Sequence, residues 1–405
     1  MKCCMVTPYP PEKCGVAIYA SKLVARLANY VNIVVISSKN GRDELVSDTR
    51  LRIIRSWKKV SPLYIFEIVK RVAEESPHIV HIQHEYLAYG PRKYSVLFPA
   101  LLLFLRFLGT PVILTMHSVV RRSSLTGNFF FLHQTGYRFS TIKKAIMIIF
   151  TKTMVNLLDA VIVHNDCMRN ALVQDYDVER EKIVVVPHGV DAPLTDKNSF
   201  EARKELGLSE KYVLLFFGFV IPGKGLEVLI KSLSKVSQKI SDVILVIAGQ
   251  YHPRLFRELP RYLGTIEKLI QDMKLGDKVI FENRFISDHR LQLYISAADI
   301  VVFPYVDDSI LGASGVLATC ASQGKVIIAT YIPRFVNELK NEVNAIIVEP
   351  NNESKLVDAI VRVSGDPRLR EKLQLNLHAY ALEKSWDAIS LSTYELYSRI
   401  LRILS

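Results

Sequence analysis

Acidic side chains are missing from one long stretch of this 405-residue chain: between Glu85 and Asp159, the 73 residues Tyr86 to Leu158 contain neither Asp nor Glu. Cysteine is scarce as well. The five present, Cys3, Cys4, Cys14, Cys167 and Cys320, are odd in number and lack metal-ligand spacing. That excludes a disulfide framework or a zinc module, and reads as reduced thiols in an intracellular protein. No apolar run reaches the ~18 residues of a membrane span; the longest, Ser95 to Leu105, is stopped by Arg106. The opening residues Met1 to Pro11 carry no apolar leader core, so no signal peptide is expected there. There is no low-complexity tract or short repeat. Neither G-x-G-x-x-G nor a P-loop occurs, so the ordinary nucleotide fingerprints are absent.

What is present is an ordinary globular composition, 49% hydrophobic and 23% charged, with a formal charge of +12. At ~150 residues per domain the length predicts two or three domains with real cores. Nine bases fall in the acid-free block: Arg92, Lys93, Arg106, Arg121, Arg122, Arg138, Lys143, Lys144 and Lys152. They are interleaved with Phe129, Phe130 and Phe131 and with Ile146 to Phe150. A solvated basic face would not need so much Phe and Ile, so residues 86–158 read as a patch for an anionic membrane surface or a polyanionic ligand. Nucleic acid is not expected, since no helix-turn-helix, zinc module or RNA-binding aromatic motif accompanies the charge.

Short β-branched runs alternate with amphipathic stretches. Strands are predicted at Cys3–Val6, Ile33–Ser37, Ile79–Ile82, Val112–Thr115, Ala160–His164 and Ile183–Val186. The pattern breaks at Pro187-His188-Gly189 and a polar segment follows. A second series then runs through Tyr212–Phe217, Val243–Ala248, Val279–Glu282, Ile300–Pro304, Val326–Ala329 and Ile346–Val348. Near-continuous apolar runs of this length are strands buried on both faces of a parallel sheet. Two such series predict two doubly wound α/β domains with a cleft between them, and ligands at the carboxyl ends of their strands.

The loops after those runs hold the candidate chemistry. Gly15 follows the first strand and opens a helix, a combination of free amides and dipole that attracts anions; taken alone it reads equally as a tight-turn residue. His84 and His117 stand at equivalent places in successive βα units and predict a polar pocket floor. In Gly218-Phe219-Val220-Ile221-Pro222-Gly223-Lys224-Gly225 the glycines permit close backbone approach and Lys224 sits at a helix start, which suits a diphosphate; taken alone, Lys224 reads better as a loop lysine in solvent. Ser314, Gly315 and Val316 are expected to open another helix, whose free amides and Ser314 hydroxyl would offer a second anion site. Asp307 and Asp308 have no further ligands at metal spacing, and Asp175-Tyr176-Asp177 reads as a turn.

These residues resemble the family-4 retaining glycosyltransferases, whose fold is called GT-B. The likeness is carried by Pro8 to Leu27, His78 to Tyr86, Val112 to His117, Ala160 to Leu172, Val184 to Asp191, Phe217 to Leu226, Ser314 to Lys325 and Ser385-Trp386-Asp387. It implies an α/β, GT-B architecture of two Rossmann-like domains facing a central cleft. Residues 1–190 plus 386–405 would form the acceptor side, and 191–385 the sugar-nucleotide side. It implies a metal-independent enzyme without cofactor that moves a hexose from a nucleoside diphosphate sugar to a hydroxyl of a glycan or lipid-linked acceptor, with retention. Such an enzyme is expected in the cytoplasm or peripheral on the cytoplasmic membrane face. Lys224 and His117 would be the catalytic pair, with His117 beside the donor sugar. Gly15, Gly218, Lys224, Ser314, Gly315 and Val316 would meet the diphosphate.

The chain departs from the family pattern in two places. Phe219 and Ile221 fill the positions where the lysine's usual arginine partner stands. The two glutamates of the family's E-x7-E motif fall at Leu311 and Thr319, and Ser314-Gly315-Val316-Leu317-Ala318 matches a branch with S-G-V-L-A there. A catalytically silent sugar-nucleotide- or glycan-binding protein on the same scaffold is therefore the alternative expectation, and sugar-nucleotide epimerisation a third.

Overall fold

The computed structural model describes residues 1–405 except 13, 40–43, 46–49, 133–137, 194–196, 250–258, 285, 307–308 and 405. Asp307 and Asp308 thus lie outside the described residues. The chain forms two compact units. The first comprises Met1–Gly189, Ser309–Ala313 and Lys384–Ser405; the second comprises Val190–Asp308 and Ser314–Glu383.

The first unit is built on β1 (Lys2–Val6), β2 (Asn32–Ser38), β3 (Glu44–Leu45), β4 (Leu51–Trp57), β5 (Ile79–His84), β6 (Val112–Met116), β8 (Ala160–Val163) and β9 (Ile183–Val185), while β7 (Ser118–Val120) stands apart. The eight strands run in the order β3-β4-β2-β1-β5-β6-β8-β9, parallel except for β3 against β4. Alternate residues of one strand serve opposite faces. Cys4, Val6, Val34, Ile36, Val80 and Ile82 enter one core layer, and Cys3, Met5, Ile33, Val35 and Ile79 enter the other. That two-sided burial is what the continuous apolar runs require. The helix Gly15–Leu27 buries Val16, Tyr19, Ala20, Leu23, Val24 and Leu27, a single stripe at helical spacing. The terminal helix Trp386–Leu404 packs on it, with Trp386, Ile389, Leu396, Tyr397 and Ile400 in the same core layer. A β-carbon at Gly189 would lie 2.3 Å from the Trp386 ring, so glycine there is the condition for that docking.

The second unit carries β10 (Tyr212–Phe217), β11 (Val243–Ala248), β12 (Val279–Glu282), β13 (Ile300–Phe303), β15 (Val326–Thr330) and β16 (Ile346–Val348). Their order is β12-β11-β10-β13-β15-β16, all parallel. Both sheets have the doubly wound α/β topology expected. In each, the strand order reverses direction at one point: between β1 and β5 in the first, and between β10 and β13 in the second. Loops at the carboxyl ends of those strands frame a ligand crevice.

All twelve predicted strands form, but four elements escaped prediction. β4 is broken up by Arg52 and Arg55, so its apolar run is hidden. β3 spans only two residues. β7 and β14 (Ile310–Gly312) form a separate antiparallel pair, Ile310 with Val120, Leu311 with Val119 and Gly312 with Ser118. Ser309–Ala313 thereby belongs to the first unit although it lies far along the chain, and Leu311 is 3% exposed within that unit's core.

Candidate active site

In the first unit the loop that follows β1 is tied down before it reaches Gly15. Glu12 pairs with Lys59 and accepts from the Ser38 hydroxyl at 3.1 Å. The buried Arg55 guanidinium donates to the carbonyls of Tyr9 and Pro10. The helix that begins at Gly15 has no acid in its first turn. A β-carbon at Gly15 would meet nothing within 4 Å, and its φ is not positive. Neither packing nor backbone conformation demands glycine there, which removes the tight-turn reading.

Past β5 and β6 the polar side chains join into one buried network. His117 Nε2 lies 2.9 Å from the Gln83 side-chain amide, and His117 Nδ1 lies 3.1 Å from His164 Nε2. His164 Nδ1 donates to the Val186 carbonyl at 3.1 Å. On the other side of Gln83, His81 contacts Thr115 Oγ1 at 2.7 Å and the Tyr397 hydroxyl at 2.5 Å. Tyr19 stands edge-on to His117 at 4.7 Å and to Trp386 at 5.1 Å. Burial is the main force on these rings. It lowers His81 and His164 to about 3 and His84 to about 4. Burial, reinforced by the neighbouring His164, His188, His84 and His81, pushes His117 well below the usual imidazole range. The histidines are therefore neutral. His117 and His84 are brought to one end of the sheet as predicted, but both His117 nitrogens are engaged inside the unit. Sequence spacing pointed to His84 and His117; it missed Gln83, His164 and Tyr397, whose roles depend on contacts across the sheet.

In the second unit the predicted residues gather at the crevice between β10 and β13. Gly218 has φ +110, and a β-carbon on Gly249 would lie 1.9 Å from the Gly218 carbonyl oxygen. Gly225 has φ +71, and a β-carbon there would lie 1.8 Å from the Pro304 carbonyl oxygen. These glycines let the loop after β10 lie directly on the backbone beyond β11 and β13. Lys224 is set by that loop so that its Nζ sits 3.5 Å from the centroid of the buried Tyr305 ring. Val316 closes on the same spot: a β-carbon at Gly218 would lie 3.0 Å from its Cγ1. The helix Gly315–Ala321 starts within the segment expected from sequence, and the Ser314 hydroxyl oxygen caps it by accepting from the Leu317 amide at 3.3 Å. Gly315, like Gly15, has nothing within 4 Å of an added β-carbon.

The missing motif residues have definite structural replacements. Leu311 is a buried strand residue of the first unit, and Thr319 turns its hydroxyl back to the Gly315 carbonyl at 2.8 Å. Among the described residues, no three His, Cys, Asp or Glu side chains group as a metal site. No described helix is long and apolar enough to cross a membrane.

Comparison with known proteins places this geometry. Residues 14–193 match the model of Glycosyltransferase Family 4, and residues 198–378 match that of Glycosyl transferases group 1. The chain is 26% identical over 230 residues to an uncharacterized glycosyltransferase of Methanocaldococcus jannaschii, covering 55% of each. It is 24% identical over 328 residues to the alpha-D-kanosaminyltransferase of Streptomyces kanamyceticus, covering 80% of this chain and 78% of the relative. The chain thus spans little more than half the length of the first of these relatives. The solved structure of Anabaena HepE in complex with UDP superposes with a TM-score of 0.74 at 16% identity, covering 98% of this chain and 100% of that one. With one family domain on each of its two parallel-sheet units, in the same order along the chain, the protein belongs to the GT-B glycosyltransferases of the family-4 type.

Proposed function

We propose that the protein is an enzyme that transfers a hexose from a nucleoside diphosphate sugar to a hydroxyl of a glycan or lipid-linked acceptor, with retention of configuration and without a metal ion. The observation that carries this reading is the convergence of Lys224, Gly218 and the Gly315–Ala321 helix start at the crevice of the second sheet. A departing nucleoside diphosphate gains negative charge, and a fixed ammonium with oriented amides stabilises that charge as it develops. Gly315 leaves room for a phosphate to approach the backbone in the second unit. Retention then follows if the acceptor hydroxyl attacks on the face the phosphate leaves, with the phosphate oxygen taking its proton. Such chemistry does not need the two carboxylates of a glycosidase, and it is compatible with Leu311 and Thr319 at the motif positions. That HepE was solved with UDP supports a donor of the same chemical class.

The acceptor side is read from the helices Phe98–Arg106 and Ser140–Asn156. Both expose apolar side chains, Leu103 and Phe104 on the first, and Ile142, Ile146 and Ile149 on the second, with Phe107 and Phe139 just beyond their ends. Arg106, Lys143 and Lys144 stand on the same two helices. Bases beside exposed Phe and Ile suit an anionic membrane surface that presents a lipid-linked acceptor.

The test is incubation with a panel of nucleoside diphosphate sugars and glycan or lipid-linked acceptors, reading released nucleoside diphosphate and the anomeric configuration of the product. Transfer with retention is expected; an inverted product would overturn the stereochemical reading. A second reading, a silent sugar-nucleotide-binding protein, is favoured by Leu311, which is locked into a core where the family carries a carboxylate. Donor binding without release or transfer from any donor would establish it.

A further inference from the structure

We infer that Gln83 and His164 act as positioning residues that hold His117 as a neutral imidazole with its proton on Nδ1, so that the ring stands at the carboxyl end of the first sheet as a fixed, uncharged surface and not as an acid. The reasoning is a proton count along one buried chain. The Val186 carbonyl can only accept, so the His164 nitrogen 3.1 Å away, Nδ1, carries the proton. Neutral His164 then offers a lone pair at Nε2, and His117 Nδ1, 3.1 Å from it, must be the donor. That leaves a lone pair on His117 Nε2, which faces the Gln83 amide at 2.9 Å. The group that satisfies it is the amide NH2. As placed, the amide oxygen lies 2.9 Å from His117 Nε2 and the amide nitrogen 3.2 Å from His81 Nε2; an amide can turn end for end without changing its shape, which puts NH2 toward His117 and the oxygen toward His81.

The other groups then find partners, while Met5 Sδ, 3.5 Å from the amide end that turns away, gives up its contact with the NH2. His81 Nε2–H donates to Gln83 and to Thr115 Oγ1, and His81 Nδ1 accepts from the Tyr397 hydroxyl. The Cys3 thiol lies 3.7 Å from the Tyr397 oxygen and donates to it. Each of these groups, from Cys3 on β1 to His164 beyond β8, has one role. With the amide oxygen toward His117 instead, that ring would need two protons. It would be a cation set among histidines, with Gln83 and Thr115 fully buried beside it. The sequence shows only scattered His and Gln at strand ends; the parallel register of β5 with β6 and of β6 with β8 aligns them.

The role in transfer rests on the proposed function, but the tautomer is testable without activity. Protein labelled with 15N-histidine, observed by two-bond 1H–15N correlation at about pH 7, should show His117 and His164 as neutral Nδ1–H rings and His81 as Nε2–H. A doubly protonated or Nε2–H His117 would overturn the inference while leaving the transferase reading intact. Gln83→Glu, folded by circular dichroism, should give His117 the doubly protonated pattern, because a carboxylate in that place accepts a proton from Nε2. Gln83→Leu should lower kcat roughly 10²-fold with little change in the donor KM, as for a misplaced site group; an unchanged kcat would refute the positioning role.

Discussion

The two units share one topology but differ in the polar networks they build beyond their strands. The first buries histidines as neutral rings, passing hydrogen bonds from Tyr397 to Val186 with no charge in the chain. The second uses charge. Glu282, at the end of β12, takes hydrogen bonds from Arg284, Tyr294 and Arg290; burial alone would raise its carboxyl, but these donors outweigh it and hold it at about 2. Lys325 is lowered to about 8 by burial and is kept in place by the Ser296 carbonyl at 2.6 Å. With Lys224 at its crevice, the second unit presents a cation where the first presents an uncharged histidine chain. A glycosyl transfer divides its needs in the same way, between positioning a sugar and stabilising a departing diphosphate.

Acid should separate the units most sharply. His81, His164 and His84 are depressed below the ordinary value of 6.5, so the unfolded chain binds protons first and stability falls as pH drops below 6.5. Each contributes a slope of up to about 1.4 kcal/mol per pH unit down toward its folded value. Glu282 adds stability above 4.5 and loses it only as pH falls toward 2. Between pH 6.5 and 4.5 the first unit alone should therefore weaken through these groups. Both tryptophans, Trp57 and Trp386, lie in that unit, so their fluorescence should report melting at a lower temperature than far-ultraviolet circular dichroism does. Coincident transitions across that range would break the contrast.

A pair of glycine substitutions sharpens it next. Gly225→Ala places a methyl against the Pro304 carbonyl at positive φ and should cost the second unit about 3 kcal/mol or more, seen as a lower unfolding midpoint in urea. Gly15→Ala meets no neighbour and should leave that midpoint within about 0.5 kcal/mol of the parent, while raising the donor KM. A stable Gly225→Ala protein with a normal donor KM would contradict the account of that loop. The smallest effect is expected at the exposed helices. Lys143→Glu with Lys144→Glu should weaken co-sedimentation with anionic vesicles by about 1 kcal/mol per lysine removed from the surface, and added salt should do the same. Neutral vesicles binding as well as anionic ones would exclude the electrostatic part.

Much of this was legible in the sequence because parallel strands buried on both faces announce themselves as apolar runs, and all twelve such runs fold as read. Arg55 shows where that signal fails. Its charge hides β4, yet the guanidinium is buried and holds the carbonyls of the loop leading to Gly15. Leu311 shows another limit. The motif count found the missing glutamate, but only the pairing of β14 with β7 explains its replacement by a core residue. Lys224 and the Ser314–Val316 helix start were readable from spacing, whereas the Gln83–His117–His164 chain depends on register between strands far apart in sequence.

On the proposed reading, the crevice of the second sheet binds a nucleoside diphosphate through Lys224 and the Gly315–Ala321 helix start. Isothermal titration of the protein with nucleoside diphosphates, beside the Lys224→Ala variant, tests it most directly. Saturable binding of at least one nucleoside diphosphate is expected, weakened roughly 10²-fold in the variant by loss of a charge-assisted contact. Equal affinity for the parent and Lys224→Ala proteins, or no binding of any nucleoside diphosphate, would contradict it.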